Sequence, residues 1–346
     1  MNIVHLSQSW LEQGLLPDVV IRAGIRRLLK DKLAEEQKHG VEFGYENKMN
    51  FINHLKSSPI AVHTPKANEQ HYEVPTEFFR LVLGKHMKYS SGYWADGNAD
   101  FDRSQSDMLE ITCERADIRD GQSVLELGCG WGSLSLFVAE KFPAARITGV
   151  SNSRTQKEYI DGECQKRGIK NLQIITADMN SFEISQKFDR VVSVEMFEHM
   201  RNYQKLMAKV AGFLNTDGKL FVHIFTHKEF AYPYNERDER DWIAKYFFTG
   251  GIMPSDDLLL YFQDHFRIHH HWRVCGTHYQ RTSEAWLANM DANREKITEI
   301  FKTTYGPKDH VKWWNYWRVF FMSCAELWGY QGGTQWMVSH YLFNKR

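Results

Sequence analysis

The chain has no excess charge of either sign: 43 Lys and Arg stand against 43 Asp and Glu, a formal net charge of +0. Bulk attraction to nucleic acid or to anionic lipid is therefore excluded, and only local patches remain. Cysteine is scarce and unpatterned. The five residues Cys113, Cys129, Cys164, Cys275 and Cys324 are odd in number and form no C-x-x-C pair, which fits neither a disulfide framework nor a zinc knuckle. A reducing, cytoplasmic setting without a metal is expected. Long apolar runs are also missing. None approaches the ~20 residues that span a bilayer, and Met1–Leu11 lacks a basic stretch followed by an apolar one. There is no internal repeat and no low-complexity tract. What the chain does have is core-forming material: 42% hydrophobic and 14% aromatic residues over 346 positions, enough for about two domains or one with large additions.

Three regions differ in pattern. Residues 1–100 read as a helical cap. Pro17 is placed as a first helical residue, and Val20, Ile21, Ile25, Leu28, Leu29 and Leu33 recur at helical spacing with Arg22, Arg26, Arg27, Lys30 and Lys32 on other faces. Packing on its own protein with a solvated charged face is expected; peripheral contact with a membrane is the alternative. Gly40–Tyr45 and Ser57–Pro65 carry turn residues and break the pattern. The aromatic segments His71–Phe79 and Met87–Trp94 have no clear period and suit a binding wall, with Tyr89 and Ser90 expected at a cofactor.

Between residues 101 and 226 helix and strand alternate. Strands are predicted at Ser123–Leu127, Arg146–Val150, Leu172–Thr176, Phe188–Val194 and Lys219–Phe225, with helices at Asp102–Ala116, Ser133–Lys141, Arg154–Lys166 and Tyr203–Leu214. Such alternation implies right-handed crossovers, a parallel sheet, and ligands at the carboxyl ends of the strands. Those exits are Gly128–Gly132, Ser151–Asn152, Asp178–Met179 and Glu195–His199. Residues 227–346 turn aromatic and His-rich, with a strand near Ile268–Val274, helices to about Tyr330, and a last strand at Trp336–Phe343. In His269–His271, adjacent side chains of a strand point to opposite faces. Only His269 and His271 can share an ion, and no carboxylate or cysteine pattern completes a metal site.

The first exit is a cofactor loop. Glycines at 128, 130 and 132 let the chain turn sharply and let a ligand approach the backbone. Their G-x-G-x-G spacing differs from the G-x-G-x-x-G of dinucleotide folds. At the second exit the usual ribose-binding acid is absent, leaving the amides of Asn152 and Gln156. At the third, Asp178 offers a carboxylate for an adenine amine and Met179 an apolar neighbour. The fourth reads Glu195, Glu198, His199. If a helical turn begins there, these stand at i, i+3 and i+4 on one face. An amine acts as a nucleophile only when unprotonated, and an aliphatic amine, like lysine, is mostly protonated at neutral pH. Glu198 and His199 suit amine orientation and deprotonation, Glu195 a supporting charge; such assistance contributes ~10²–10⁴-fold.

The glycine loop resembles the first motif of S-adenosylmethionine-dependent methyltransferases. The segments Cys113–Ala116, Asp120–Gly130, Phe197–Tyr203, Tyr261–Asp264, Asn315–Arg318, Gly329–Gly333 and Trp336–Phe343 together resemble the coclaurine N-methyltransferase family, itself related to the cyclopropane fatty acid synthases. The resemblance implies an α/β, Rossmann-like class I methyltransferase sheet with an amino-terminal helical cap and a carboxy-terminal α/β insertion. It also implies N-methylation of a small amine, with S-adenosylmethionine as cofactor and S-adenosylhomocysteine as product. Glu195, Glu198 and His199 correspond to the catalytic Glu-x-x-Glu-His unit. Phe230, Tyr279, Trp328 and Tyr330 are candidates for the substrate pocket, since cations lie favourably over aromatic faces. The lipid enzymes use a bound bicarbonate; their glutamate, histidine and tyrosine correspond to Glu198, His223 and Tyr279, and their cysteine position to Ser91. The residue matching Glu195 is commonly small in those enzymes, and a carboxylate there suits a cationic amine better than an alkene. Bicarbonate-dependent lipid methylation is the alternative, and a non-catalytic cofactor-binding protein the third reading. No nucleic-acid partner is expected, and a homodimer is left open.

Overall fold

In the computed structural model, which describes residues 3–62, 74–97, 99–234 and 242–346 (backbone alone for 3–7), the chain opens with helices α1 (Ile3–Glu12), α2 (Asp18–Gln37), α3 (Gly40–Ser57) and α4 (Thr76–Val82). The basic helix α2 packs on its own protein. Leu33 is buried and Ile21, Ile25 and Leu29 join the aromatic core, while Val20 and Leu28 stay exposed, so the apolar stripe is narrower than its sequence pattern. Its charges are used internally: Arg22 meets Glu284 at 2.6 Å and Glu326 at 3.0 Å, and Arg318 meets Asp18 at 2.8 Å. Two expectations fail here. Gly40–Tyr45 does not break a helix but forms the first turns of α3, because only Gly40, at φ +84°, needs the left-handed region and it sits at the helix start. Pro17 is the cap before α2 (φ −62°, ψ 145°), not its first residue. Residues 63–65 and His71–Glu73, parts of two segments singled out above, lie outside the described residues.

After α5 (Phe101–Arg115) the alternation predicted from sequence is realised: β1 (Ser123–Leu127), α6 (Ser133–Lys141), β2 (Arg146–Ser151), α7 (Arg154–Arg167), β3 (Leu172–Thr176), β4 (Phe188–Val194), α8 (Tyr203–Phe213) and β5 (Leu214–His227). Every residue of β1 is buried, which explains why it reads as a continuous apolar run. β5 is longer than expected at both ends, with a register shift opposite Phe188–Arg190. The chain continues through the ribbon β6 (Tyr232–Pro233) and β7 (Ile252–Met253), with α9 (Trp242–Tyr246) between them, and then β8 (Phe266–Val274), α10 (Gly276–Ala292), α11 (Arg294–Gly329) and β9 (Trp336–Lys345). α11 bends where Gly306, at φ 83°, precedes Pro307.

The main sheet runs β3-β2-β1-β4-β5-β9-β8. β1 to β5 are parallel, and β9 enters antiparallel between β5 and β8. The strand order reverses between β1 and β4, and that switch opens a crevice at their carboxyl ends. This is the class I methyltransferase arrangement expected. On one side an aromatic core joins the cap to the last third of the chain, with Phe78, Trp286, Trp317 and Trp336 almost wholly buried, each withdrawing roughly 150–250 Å² from water. No described helix is long and apolar enough to cross a membrane.

One ionic cluster anchors the inserted strand. Asp256 accepts from Arg273 at 2.6 Å, His271 at 3.0 Å and Ser339 at 2.6 Å, while Tyr341 donates to its carbonyl at 2.6 Å. Burial pushes this carboxyl up, but the donors outweigh it and hold it at about 2. His271 is thus committed to a carboxylate rather than to its histidine neighbours. Asp256→Asn is expected to lower stability by about 2 kcal/mol, the scale of hydrogen bonds to a charged group. Because the native carboxyl titrates below its ordinary 3.8, this contribution is present above that value and fades as pH falls toward 2; urea unfolding at both ends of the range reads it.

Candidate active site

The glycine loop places bare backbone at the crevice. Gly128 is at φ +77°, and a Cβ there would come within 2.7 Å of Met196, locking the first strand exit against the fourth. Gly130 is at φ +53° with nothing within 4 Å of its Cβ position, so its open side is the cavity itself. Gly132 caps α6 and does not line the cavity. At the second exit Ser151 donates to Gln156 Oε1 at 2.7 Å. This turns the buried amide so that Gln156 Nε2 has no protein acceptor. Asn152 lies beside it, and Asp178 and Met179 close the third exit. A cavity of about 850 Å³ results, lined by these residues together with Gly128, Gly130, Glu195 and His199. An orphaned amide donor, a carboxylate, an apolar thioether and a side-chain-free loop fit the hydroxyls, amine and ring of an adenosyl group.

A second cavity, of about 1160 Å³, shares Gly128, Gly130, Gln156, Glu195 and His199 with the first. Tyr89 and Ser90 line it, as do Tyr279 and Trp328, whose rings stack at 4.8 Å with an interplanar angle of 3°. Phe230 and Tyr330 do not. Phe230 stacks on His227 at 4.9 Å, and Tyr330 meets Trp336 edge-on at 5.6 Å. Phe225, Tyr234 and Phe248 line this cavity as well; Phe225 ends the strand predicted at Lys219–Phe225, and Tyr234 and Phe248 lie in segments without a readable period. Two buried charged residues were given no role in the sequence reading. Glu126, at the end of β1, accepts from Ser135, and Lys88, inside the aromatic segment, donates to Ser90.

The fourth exit departs from the expected geometry. Glu195 is not helical; it sits at φ +49°, and the turn that follows is a short 3₁₀ segment, Phe197–His199. The left-handed residue brings the two carboxylates into the crevice without a shared helical face. Glu195 Oε2 accepts from Tyr279 Oη at 2.6 Å, and its Oε1 lies 3.3 Å from His223 Nε2. The Ser91 backbone N–H adds a third bond. Glu198 is 1% exposed, and its Oε2 has no partner. Burial raises both carboxyls; Tyr279 and the Lys88 charge oppose the rise at Glu195, whereas the neighbouring Glu195 adds to it at Glu198. His199 lines both cavities, its ring 4.7 Å from that of Phe248.

This site belongs on a known scaffold. Residues 62–331 match the model of the mycolic acid cyclopropane synthetase family. An (S)-coclaurine N-methyltransferase of Thalictrum flavum subsp. glaucum is 40% identical over 352 residues, covering 99% of this chain and 96% of that protein. The chain belongs to the coclaurine N-methyltransferase family. A crystal structure of coclaurine N-methyltransferase bound to N-methylheliamine and S-adenosylhomocysteine (SAH) superposes with a TM-score of 0.95 at 39% identity, covering 99% of both chains. The cyclopropane-fatty-acyl-phospholipid synthase of Escherichia coli (strain K12) is 29% identical over 239 residues, 68% of this chain and 59% of that protein. Within the coclaurine N-methyltransferase family this chain is an adenosylmethionine-dependent N-methyltransferase.

Three of the four residues expected to match the bicarbonate set of the lipid enzymes, Ser91, His223 and Tyr279, do come together in this N-methyltransferase, around Glu195. His223, Tyr279 and the Ser91 backbone surround the carboxylate of Glu195, while the Ser91 hydroxyl donates to the Gly92 carbonyl at 2.9 Å. Among the described residues no group of His, Cys, Asp and Glu is arranged to hold a metal.

Burial raises Glu126 from 4.5 to about 7 against the opposing bond from Ser135. Between those two values the native state binds more protons than the unfolded chain, so stability falls as pH rises through the window. In the cofactor-free protein, Glu126→Gln should flatten the fall in Tm from about pH 4.5 to pH 7; a slope equal to that of the parent would show that this carboxyl titrates normally.

Proposed function

We propose that this N-methyltransferase acts on an amine of the benzylisoquinoline class, the class to which coclaurine belongs. The observation that carries the reading is the pair of carboxylates, Glu198 at 1% exposed and Glu195 with its side chain at 9%, lining an aromatic-walled cavity of about 1160 Å³. A buried carboxylate pair is costly unless a cation joins it. An ammonium with an aromatic body supplies that cation and the surface that Phe225, Phe248 and the Tyr279–Trp328 stack can cover.

Bound adenosylmethionine supplies the methyl group as an electrophilic sulfonium. Gln156, Asp178, Met179 and the backbone at Gly128 and Gly130 would hold it, with Asn152 beside them and Tyr89 and Ser90 near the reacting end. Glu195 has both oxygens engaged, and Tyr279, the Lys88 charge and the Ser91 backbone favour its charged form against burial, so that it presents negative charge to a cationic amine. Glu198, with a free oxygen and its ionised form favoured by the cationic substrate beside it, accepts the ammonium proton while His199 orients the amine, and leaves the nitrogen lone pair facing the methyl donor. Excluding water at this point strengthens each of these interactions. The same geometry speaks against bicarbonate chemistry, because Glu195 already occupies the donors that such an anion would use.

Methyl transfer from labelled adenosylmethionine to tetrahydroisoquinoline amines, run beside unsaturated phospholipid vesicles with and without bicarbonate, is the direct test. N-methyl product is expected; label in lipid alone, dependent on bicarbonate, would overturn the proposal. Glu198→Gln and His199→Ala are each expected to lower kcat by ~10²–10⁴ while cofactor affinity, read by calorimetry, stays within a few-fold. Glu195→Gln removes the like charge that raises Glu198, so the acidic limb of its kcat–pH profile should move to lower pH.

A further inference from the structure

Behind Glu195, on the side away from the cavities, three side chains form a line through the sheet. His223 on β5 and His340 on β9 are direct register partners across the antiparallel pairing, and both are fully buried. His223 Nε2 lies 3.3 Å from Glu195 Oε1, His340 Nε2 lies 2.9 Å from His223 Nδ1, and Arg115 Nη1 lies 2.8 Å from His340 Nδ1. Arg115 is the last residue of α5, and its guanidinium rests 5.2 Å over the Trp272 ring, at an outer surface cavity that it shares with Glu114, Asp117 and Lys219.

A guanidinium can only donate. His340 Nδ1 must therefore present a lone pair, which puts the ring proton on Nε2, where it is donated to His223 Nδ1. That nitrogen in turn is the acceptor, so the proton of His223 is on Nε2 and points at Glu195. Each assignment follows from the one before it, and the first comes from Arg115. Burial, with the positive charges of Lys88 and Arg115 close by, holds both imidazoles neutral, so the tautomer is the one freedom the pair retains. Taken without Arg115, the two imidazoles have two internally consistent states, all donors directed toward Glu195 or all directed away, and the Arg115 donor on His340 Nδ1 admits only the first. In the second, a lone pair of His223 would face Glu195, which would then have to carry a proton. The groups facing the line are Lys88 from the segment before α5, Tyr279 from α10, Glu198 from the loop after β4 and His271 from β8; of these, none contacts His340 Nδ1 as Arg115 does.

We propose that Arg115 and His340 are positioning residues for methyl transfer: they lock His223 as an Nε2–H donor and so keep Glu195 a hydrogen-bond-accepting carboxylate that can face a cationic amine. The inference rests on the amine reading above for its catalytic consequence, but the tautomer pattern stands without any substrate.

The experiment is ¹⁵N NMR of the histidine-labelled full chain, paired with steady-state kinetics, on the parent, Arg115→Lys, Arg115→Met and His340→Gln. The parent should show His223 and His340 each protonated at Nε2 and bare at Nδ1. Arg115→Lys retains a donor and should keep both the pattern and most of the activity. Arg115→Met should lose the fixed pattern and about 10–100-fold in kcat, the scale of orienting second-layer partners, with KM for adenosylmethionine unchanged. Loss of kcat in Arg115→Met with the parent's tautomers intact would overturn the proposal, as would a parent His223 protonated at Nδ1. If Arg115→Met does not fold, the parent spectrum and the His340→Gln kinetics still decide. If no amine is methylated, the amine reading fails by itself while the spectrum still reports on the lock.

Discussion

A carboxylate held almost out of water in a left-handed turn is the constraint around which this molecule is arranged. Glu195 leaves β4 at φ +49°, a conformation that non-glycine residues adopt only when their surroundings hold them there. Tyr279 from α10, His223 from β5 and the Ser91 backbone hold it, and Lys88 supplies a nearby positive charge. The glycine loop is coupled to the same point, because Gly128 leaves room for Met196, the next residue along. Cofactor loop, substrate cavity and acid pair therefore share one packing arrangement, and a change in any of them shifts the others.

The antiparallel strand β9 makes that arrangement reachable. Inserted between β5 and β8, it sets His340 opposite His223 and brings Ser339 and Tyr341 onto Asp256. The end of the chain thus serves as an inner strand, and its two faces are committed to different tasks: one to the line leading to Glu195, the other to the ionic cluster that fixes β8. Long helices then close the aromatic side, and ion pairs from Arg22 and Arg318 clip the cap onto them. These pairs are partly exposed, so their contribution is modest and salt-sensitive; the withdrawal of Phe78, Trp286 and Trp317 from water is the larger effect at that interface.

The amine chemistry proposed above rests on electrostatics rather than on any single residue. Glu126, Glu195 and Glu198 are carboxyls that burial pushes toward neutrality, with Lys88 as the near positive charge. A pocket with a surplus of buried acid favours cationic occupants and disfavours a second anion.

Local pattern was enough to read the parallel strands, the helices between them, the glycine loop and the four exits, because a buried strand and its turn leave short-range signatures in residue type. Asn152, Gln156, Asp178 and Met179 were singled out by position on that frame, and all four line one cavity. At the fourth exit Glu195, Glu198 and His199 line one cavity, but not in the expected shape: spacing at i, i+3 and i+4 implied a helical face, whereas tertiary contacts hold Glu195 in a left-handed turn that its own sequence does not favour. Phe230 and Tyr330 were sensible aromatic candidates, but which aromatic ring faces a cavity depends on how segments far apart in the chain cross. Arg115, His223 and His340 are separated by more than a hundred residues at each step, and no periodicity connects them. The chain by itself determined the sheet, the cofactor class and the acids at the exits, since these depend on neighbours within a few residues. The surroundings of those acids were decided by tertiary structure alone, because a hydrogen bond between distant residues exists only after the strand register has brought them together.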